Sequence, residues 1–260
     1  MSTIGTPDDY ERICYRSNFL DKVIIRMDSL NRVEQLTDDI PQALHSLARE
    51  RFPIEEPKDE ELIQTTISAR DEPKRTTRKR IKWLYHSRDR QAHLTITDDF
   101  ISIEYDTYHS YEDDLKAKIS DICEELNRII PDQKYKRIGL RYINHIRIPG
   151  NDPFDWSEYI NEALLCQHSF CEDLRHVSRL FHIIEINGDD HQLRFQFGIH
   201  NPDHPAPVRD RAFTLDYDAY TARLIRFGEC IGLLDRLHES IQGLFEMSIR
   251  DALRDKMVRE

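Results

Sequence analysis

The sequence predicts an α+β protein: two tandem β-α-β-β-β-α-type units, a largely antiparallel sheet with helices on one face, and a long C-terminal helix. Three observations carry that expectation. Most apolar runs alternate with period two, as half-buried strands do. Hairpin signals such as Asn187-Gly188 join neighbouring runs. The order of elements also repeats, β-α-β-β-β-β-α in the first half and β-α-β-β-β-α from Arg137 onward. The units are expected at residues 1–136 and 137–260, packed together as one globular body.

The elements follow in chain order. "FLDKVIIRMD" is a strand with Val23, Ile25 and Met27 on one face. A helix is expected from about Asp39 to Arg51, capped by Asp38 or Asp39, with the apolar stripe Ile40, Leu44, Leu47 and Ala48. Phe52-Pro53 ends it, and an acidic, Pro-rich loop leads to the strand "LIQTTISA". "RDEPKRTTRKR" reads as a charged hairpin loop before the strand "IKWLYHS". "AHLTIT" and "FISIEYD" are strands joined at Asp98-Asp99. The next helix starts at Ser110, with Asp113 reaching back in a variant capping box, and buries Leu115, Ile119, Ile122, Leu126 and Ile129.

"RIGLRYINHIRIP" (Arg137 to Pro149) is the most strand-like run. One face carries Ile138, Leu140, Tyr142, Asn144, Ile146 and Ile148; the other carries Arg137, Gly139, Arg141, Ile143, His145 and Arg147. A third helix is expected after "PGNDP", with Asp152 as cap and Pro153 in its first turn. The strands "VSRLFHIIEIN", "HQLRFQFGIH" and "AFTLDYD" follow. A last helix is expected from about Phe227 to Met257, its stripe running through Leu234, Leu237, Ile241, Leu244, Phe245, Ile249, Leu253 and Met257.

Composition narrows the function classes. The 260 residues are 39% apolar and 33% charged, enough to bury a core without staples. A formal charge of −11 argues against wholesale nucleic-acid binding. No apolar run reaches the ~18 residues of a membrane span, and "MSTIGTPDDYER" lacks the plan of a secretory signal. Five scattered cysteines fit reduced thiols, so a cytoplasmic location is expected. Cys166, His168 and Cys171 have no second ligand pair to complete a zinc site, and no metal or other cofactor is expected.

The polar strand faces define the candidate sites. Arg141, His145, Arg147, Arg194, Asp216 and Asp218 are expected on the sheet face away from the helices. Arginines there can grip a phosphate or carboxylate with both arms of the guanidinium, or they can pair with carboxylates on neighbouring strands. Asn144 is expected to be buried and to tie the sheet centre to another element, because an unbonded buried amide costs about 1–3 kcal/mol. Asp216 and Asp218 share one side of a strand, as an Mg²⁺-dependent phosphoesterase or nuclease needs. Lys74, Arg75, Arg78, Lys79 and Arg80 form a local basic segment that reads as a contact for nucleic acid or a partner protein. The long last helix offers a stripe for a homodimer or partner protein. No glycine-rich phosphate loop or nucleophile elbow is present, so a binding role outranks catalysis.

"YKRIGLRYINHIRIP" (Tyr135 to Pro149) and "LHESIQGLFEMSIRDALRDKM" (Leu237 to Met257) resemble a sporadically distributed family of uncharacterised bacterial proteins. "FTLDYDAY" is similar to that family's late Leu-Asp-x-Asp strand and "FLDKVIIRMDSL" to its first. That first strand usually follows a Pro-Pro pair, where this chain has Asn18-Phe19. The resemblance implies a length near this one and no catalytic residues. Its patchy distribution implies mobile-element or defence genes. The expectation is a cytosolic binding or regulatory protein that meets an anionic ligand or partner protein on its open sheet face.

Overall fold

The alternation of "FLDKVIIRMD" becomes β1 (Leu20–Ser29), with Val23, Ile25 and Met27 buried and Lys22, Ile24 and Arg26 on the other face. The computed structural model describes residues 14–66, 74–166, 170–171 and 173–258. Within them, β2 (Ile54–Glu55), β3 (Lys58–Thr66), β4 (Lys74–His86), β5 (Ala92–Ile96) and β6 (Phe100–Tyr105) belong to the first half. β7 (Lys134–Arg147), β8 (Leu180–Asn187), β9 (Gln192–Ile199), β10 (Ala212–Thr221) and β11 (Ile225–Arg226) follow.

The strands run β2-β4-β5-β6-β1-β7-β10-β9-β8 across one sheet, with β3 added to β4 and β11 to β7. Every pairing is antiparallel. β1 and β7 lie side by side at the centre. Outward from β1 come β6, β5 and β4; outward from β7 come β10, β9 and β8. The strand order is thus mirrored about the β1–β7 seam, and strands from both halves of the chain share one hydrogen-bonded sheet.

Helices cover one face of this sheet. They are α1 (Gln42–Arg51), α2 (Ala117–Ile129), α3 (Cys230–Ser248) and the short α4 (Asp251–Met257). Ile40, Leu44, Ile119, Ile122, Leu126, Leu234, Leu237 and Ile241 join Ile25, Leu140 and Tyr217 in one core. Burying each such aliphatic chain contributes about 1.5–3 kcal/mol. Cys123 on α2 touches Met27 on β1 with its thiol 3.6 Å from the thioether. Burial pushes that thiol's pKa up and keeps it inert.

Four local expectations are corrected. Residues 151–179 form turns and short 3-10 stretches at Glu162–Leu164 and Leu174–His176 among the described residues, not a third α-helix. Asp152 accepts from the Phe154 N–H at 2.9 Å, closing a turn, and the buried Trp156 donates its indole N–H to Pro153 O at 2.9 Å. Trp156 and Ile160 have helical spacing, but too few apolar positions follow to sustain a stripe. The C-terminal helix is broken at Ile249, which is extended and bridges to Ile160. Ser248 Oγ and Asn161 Nδ2 take up the Leu244 and Met247 carbonyls at 2.7 and 2.9 Å, so the break leaves fewer acceptors bare.

At the start of the second helix Ser110 Oγ does accept from Asp113 N–H, at 3.3 Å. The side chain that reaches back is Asp114, accepting from the His109 and Ser110 amides at 3.0 Å each. That one-residue displacement accompanies a π turn over Tyr111–Lys116 before α2 begins. Finally, Lys74–Arg80 is not loop. It is the first part of β4, paired in register with β3 from Lys58↔Lys82 to Thr66↔Lys74. Opposite charges facing each other across this ribbon favour the pairing.

Candidate binding face

β7 places Arg137, Arg141, His145 and Arg147 on the sheet face opposite the helices, because odd-numbered residues there share one side. β10 contributes Thr214, Asp216 and Asp218, and β9 contributes Arg194 and Gln196. Register aligns Asp218 with Arg141 on one flank and Arg194 on the other. The six residues expected on this face therefore do share it.

Their chemistry differs from an empty anion receptor. Arg141 grips Asp216 with both arms, Nε to Oδ1 at 2.8 Å and Nη2 to Oδ2 at 2.7 Å. The guanidinium fork and both carboxylate oxygens are already engaged with each other, so neither group stands as an empty receptor for an anion or a metal ion. Asp218 lies 3.5 Å from Arg137 Nη2. Burial raises the Asp218 pKa, opposed by Arg137 and Arg141. The cleft between Arg141, Arg194, Gln196, Asp216 and Asp218 measures about 50 Å³. That is well below the roughly 300–1,000 Å³ of a small-molecule site. Among the described residues no three His, Cys, Asp or Glu side chains gather as metal ligands; His168 lies outside them.

The rest of the face is cross-linked in the same manner. Lys22 reaches Glu104 and Asp106 at 3.9 and 3.2 Å, and His145 lies 3.4 Å from Asp21. The His145 and His200 rings lie against each other with centroids 4.3 Å apart and planes tilted by 34°. Burial lowers both histidines' pKa values, with the His200 ring adding to the effect at His145 and Arg147 adding to it at His200. Two cations are less engaged. Arg194 stands 4.0 Å from Glu185, and Arg147 is exposed and makes no ion pair among the described residues. Six residues along β7 separate Arg147 from the Arg141 row, so the two cations lie roughly 20 Å apart on the strand rise.

Asn144 sits on the helix side, 4% exposed, and donates Nδ2–H to Leu215 O on β10 at 3.3 Å. It ties the two strands behind the candidate face.

The basic ribbon is internally neutralised. Asp98, fully buried in the β5–β6 turn, accepts from Arg32 Nε and Arg78 Nη1 at 2.6 Å each. Arg78 and Arg80 both reach Asp99 at 2.8 Å, and Arg80 Nε donates to Glu60 at 2.7 Å. Two of the five expected contact residues are thus committed to structure. Lys79 is exposed, 3.6 Å from Glu61, and Arg75 is exposed. The Lys74 side chain and residues 70–73 lie outside the described set. In the sequence Asp98-Asp99 reads only as a joint between two strands; the signal for its role is a pair of acids in a chain segment that follows an Arg-rich one.

Most of the expected stripe of the last helix packs inward, while Leu244 and Phe245 are partly buried. Leu234, Leu237, Ile241, Leu253 and Met257 are buried against the chain's own core. A groove of about 560 Å³ that no motif announced lies at the start of β7, between Asn127, Gln133, Lys134, Arg226 and Phe227. Among the described residues, no helix is long and apolar enough to cross a membrane. No family model matches the chain, and no curated protein matches it.

Proposed function

We propose that the protein is a non-catalytic binding or regulatory protein that docks an acidic partner protein on its open sheet face. The observation that carries this is the state of that face. Its ion pairs are closed across strands, its cleft is too small for a metabolite, and Arg147 and Arg194 remain as outlying cations. Small-molecule sites are concave and span about 300–1,000 Å³, whereas flat faces with spaced cations suit protein partners through electrostatic complementarity. The resemblance to a sporadically distributed bacterial family supports a cytoplasmic role, within a host-defence module.

The test is affinity capture from the native host with the wild-type chain and with Arg147→Glu/Arg194→Glu. A partner recovered by the wild type and lost from the folded variant supports the reading. The same partner recovered equally by both removes this face as the site.

A further inference from the structure

The sheet path ends at β2 and β8, and the two ends are built differently. β2 is two residues long, and the adjoining β3–β4 ribbon is charged, with Lys58, Asp59, Glu60 and Glu61 on β3. Short and charged edges resist further pairing. β8 has eight residues, "LFHIIEIN", with no proline or lysine and Glu185 as its one carboxylate. Ile183 and Ile184 are 52% and 44% exposed on its two faces.

The hydrogen-bonding direction of β8 follows from its hairpin. Gly188 N–H donates to His191 O at 3.0 Å, and the register runs unbroken from Asn187↔Gln192 to Leu180↔Ile199. Alternation then turns the N–H and C=O of Phe181, Ile183 and Glu185 away from β9. Those outward groups make no backbone hydrogen bond among the described residues. Such an edge is complemented by another β-strand rather than by a helix or a small molecule.

We infer that β8 pairs antiparallel with β8 of a second copy of this chain, about a twofold axis near Ile183. In that register Ile183 meets Ile183, Phe181 meets Glu185 and Leu180 meets Ile186. Ile183 pairs with its own copy and Leu180 with Ile186, Phe181 lies opposite the stem of Glu185, and the two Glu185 carboxylates do not face each other. The outward amides of Phe181, Ile183 and Glu185 exchange bonds with their counterparts. Because the other end of the sheet is blunted, the association closes at two copies and does not grow into a fibre. The joined sheets present one continuous open face.

Sedimentation velocity and native mass spectrometry of the full chain up to ~100 µM provide the test, since an interface of this size is at the weak end of the stable range. The wild type should run at about twice its 31.0 kDa. Ile183→Pro should return it to the single-copy mass while keeping its circular dichroism, because the Ile183 N–H points outward and the substitution removes no internal bond. In a Cys166→Ser background, Ile183→Cys should form a reducible dimer on mild oxidation, since paired strand residues have Cα atoms within disulfide reach. A wild type that stays at 31.0 kDa throughout overturns the inference. So does a dimer that survives Ile183→Pro and gives no Ile183→Cys cross-link.

Discussion

Arg141 and Asp216 close a two-armed ion pair across β7 and β10, at 2.8 and 2.7 Å, in the middle of the open face. The partners are unequally exposed, 42% for the Arg141 side chain and 10% for that of Asp216. Removing the arginine strands a carboxylate that water barely reaches. Removing the aspartate leaves a cation that turns to solvent. Arg141→Ala should therefore cost about 1–3 kcal/mol in urea unfolding, and Asp216→Ala less. The double variant should show a coupling of about 1 kcal/mol. Equal and additive single losses would falsify a structural role for the pair.

Asp98 predicts a larger effect. It is fully buried and faces Arg32, Arg78 and Arg80, the last at 3.8 Å. Asp98→Ala leaves clustered guanidinium groups without their shared counter-ion, which should cost about 3–5 kcal/mol. Hydrogen exchange should quicken in β3 and in the first part of β4, because the ribbon loses its tie to the β5–β6 turn. A loss below about 1 kcal/mol, with unchanged exchange in the ribbon, contradicts this view of the network.

Gly198 predicts the opposite edge. Its φ of +149° is open to glycine, and a Cβ there would stand 2.0 Å from Leu180 O. Gly198→Ala must push β8 away from β9 at the start of their pairing. A cost of about 1–3 kcal/mol is expected from the backbone conformation alone, with faster exchange in β8 than in β10. A stabilised Gly198→Ala protein is the contrary outcome.

The pH dependence has a definite sign. Burial pushes the His238 pKa down from 6.5 to about 4, and the ring lies 3.1 Å from Tyr142 Oη by its Nδ1 while stacking on Tyr111. Between these pH values the unfolded chain binds a proton that the folded chain refuses. Stability is therefore complete above the unfolded value and falls as the pH drops from 6.5 toward 4. His86, His145 and His200 are also lowered, so they add losses of the same sign. The urea midpoint should drop from pH 7 to pH 5, and His238→Phe should drop less. Identical drops in the two proteins would show that His238 takes no part.

The fold class and most strands are legible in the sequence because period-two burial is a local signal. Val23, Ile25 and Met27 read as an inward row and are one. The missed elements depend on distant partners. Lys74–Arg80 looks like a loop until Asp98, Asp99 and Glu60 neutralise it from other strands. The run through Phe245 and Ile249 looks like unbroken helix until Ile160 and Asn161 take up the chain at the break. Strand parity puts Arg141, Arg194, Asp216 and Asp218 on one face, where pairing of these carboxylates with Arg141 or Arg194 is one of the two readings the sequence offers. That Asp216 is the carboxylate Arg141 grips depends on the register between β7 and β10, which no local pattern names.

Docking of an acidic partner on the open face, as proposed, is distinguishable from a mere effect of net charge. Two variants with the same charge change separate these. Arg147→Glu/Arg194→Glu alters the open face. Arg49→Glu/Arg128→Glu alters exposed positions on α1 and α2, on the helix side. Quantitative capture from the native host, with wild type and both variants side by side, is the direct measurement. At least a ten-fold loss of the partner is expected with the open-face variant, and retention with the helix-side variant. Equal loss in both, or loss in the helix-side variant alone, would contradict it.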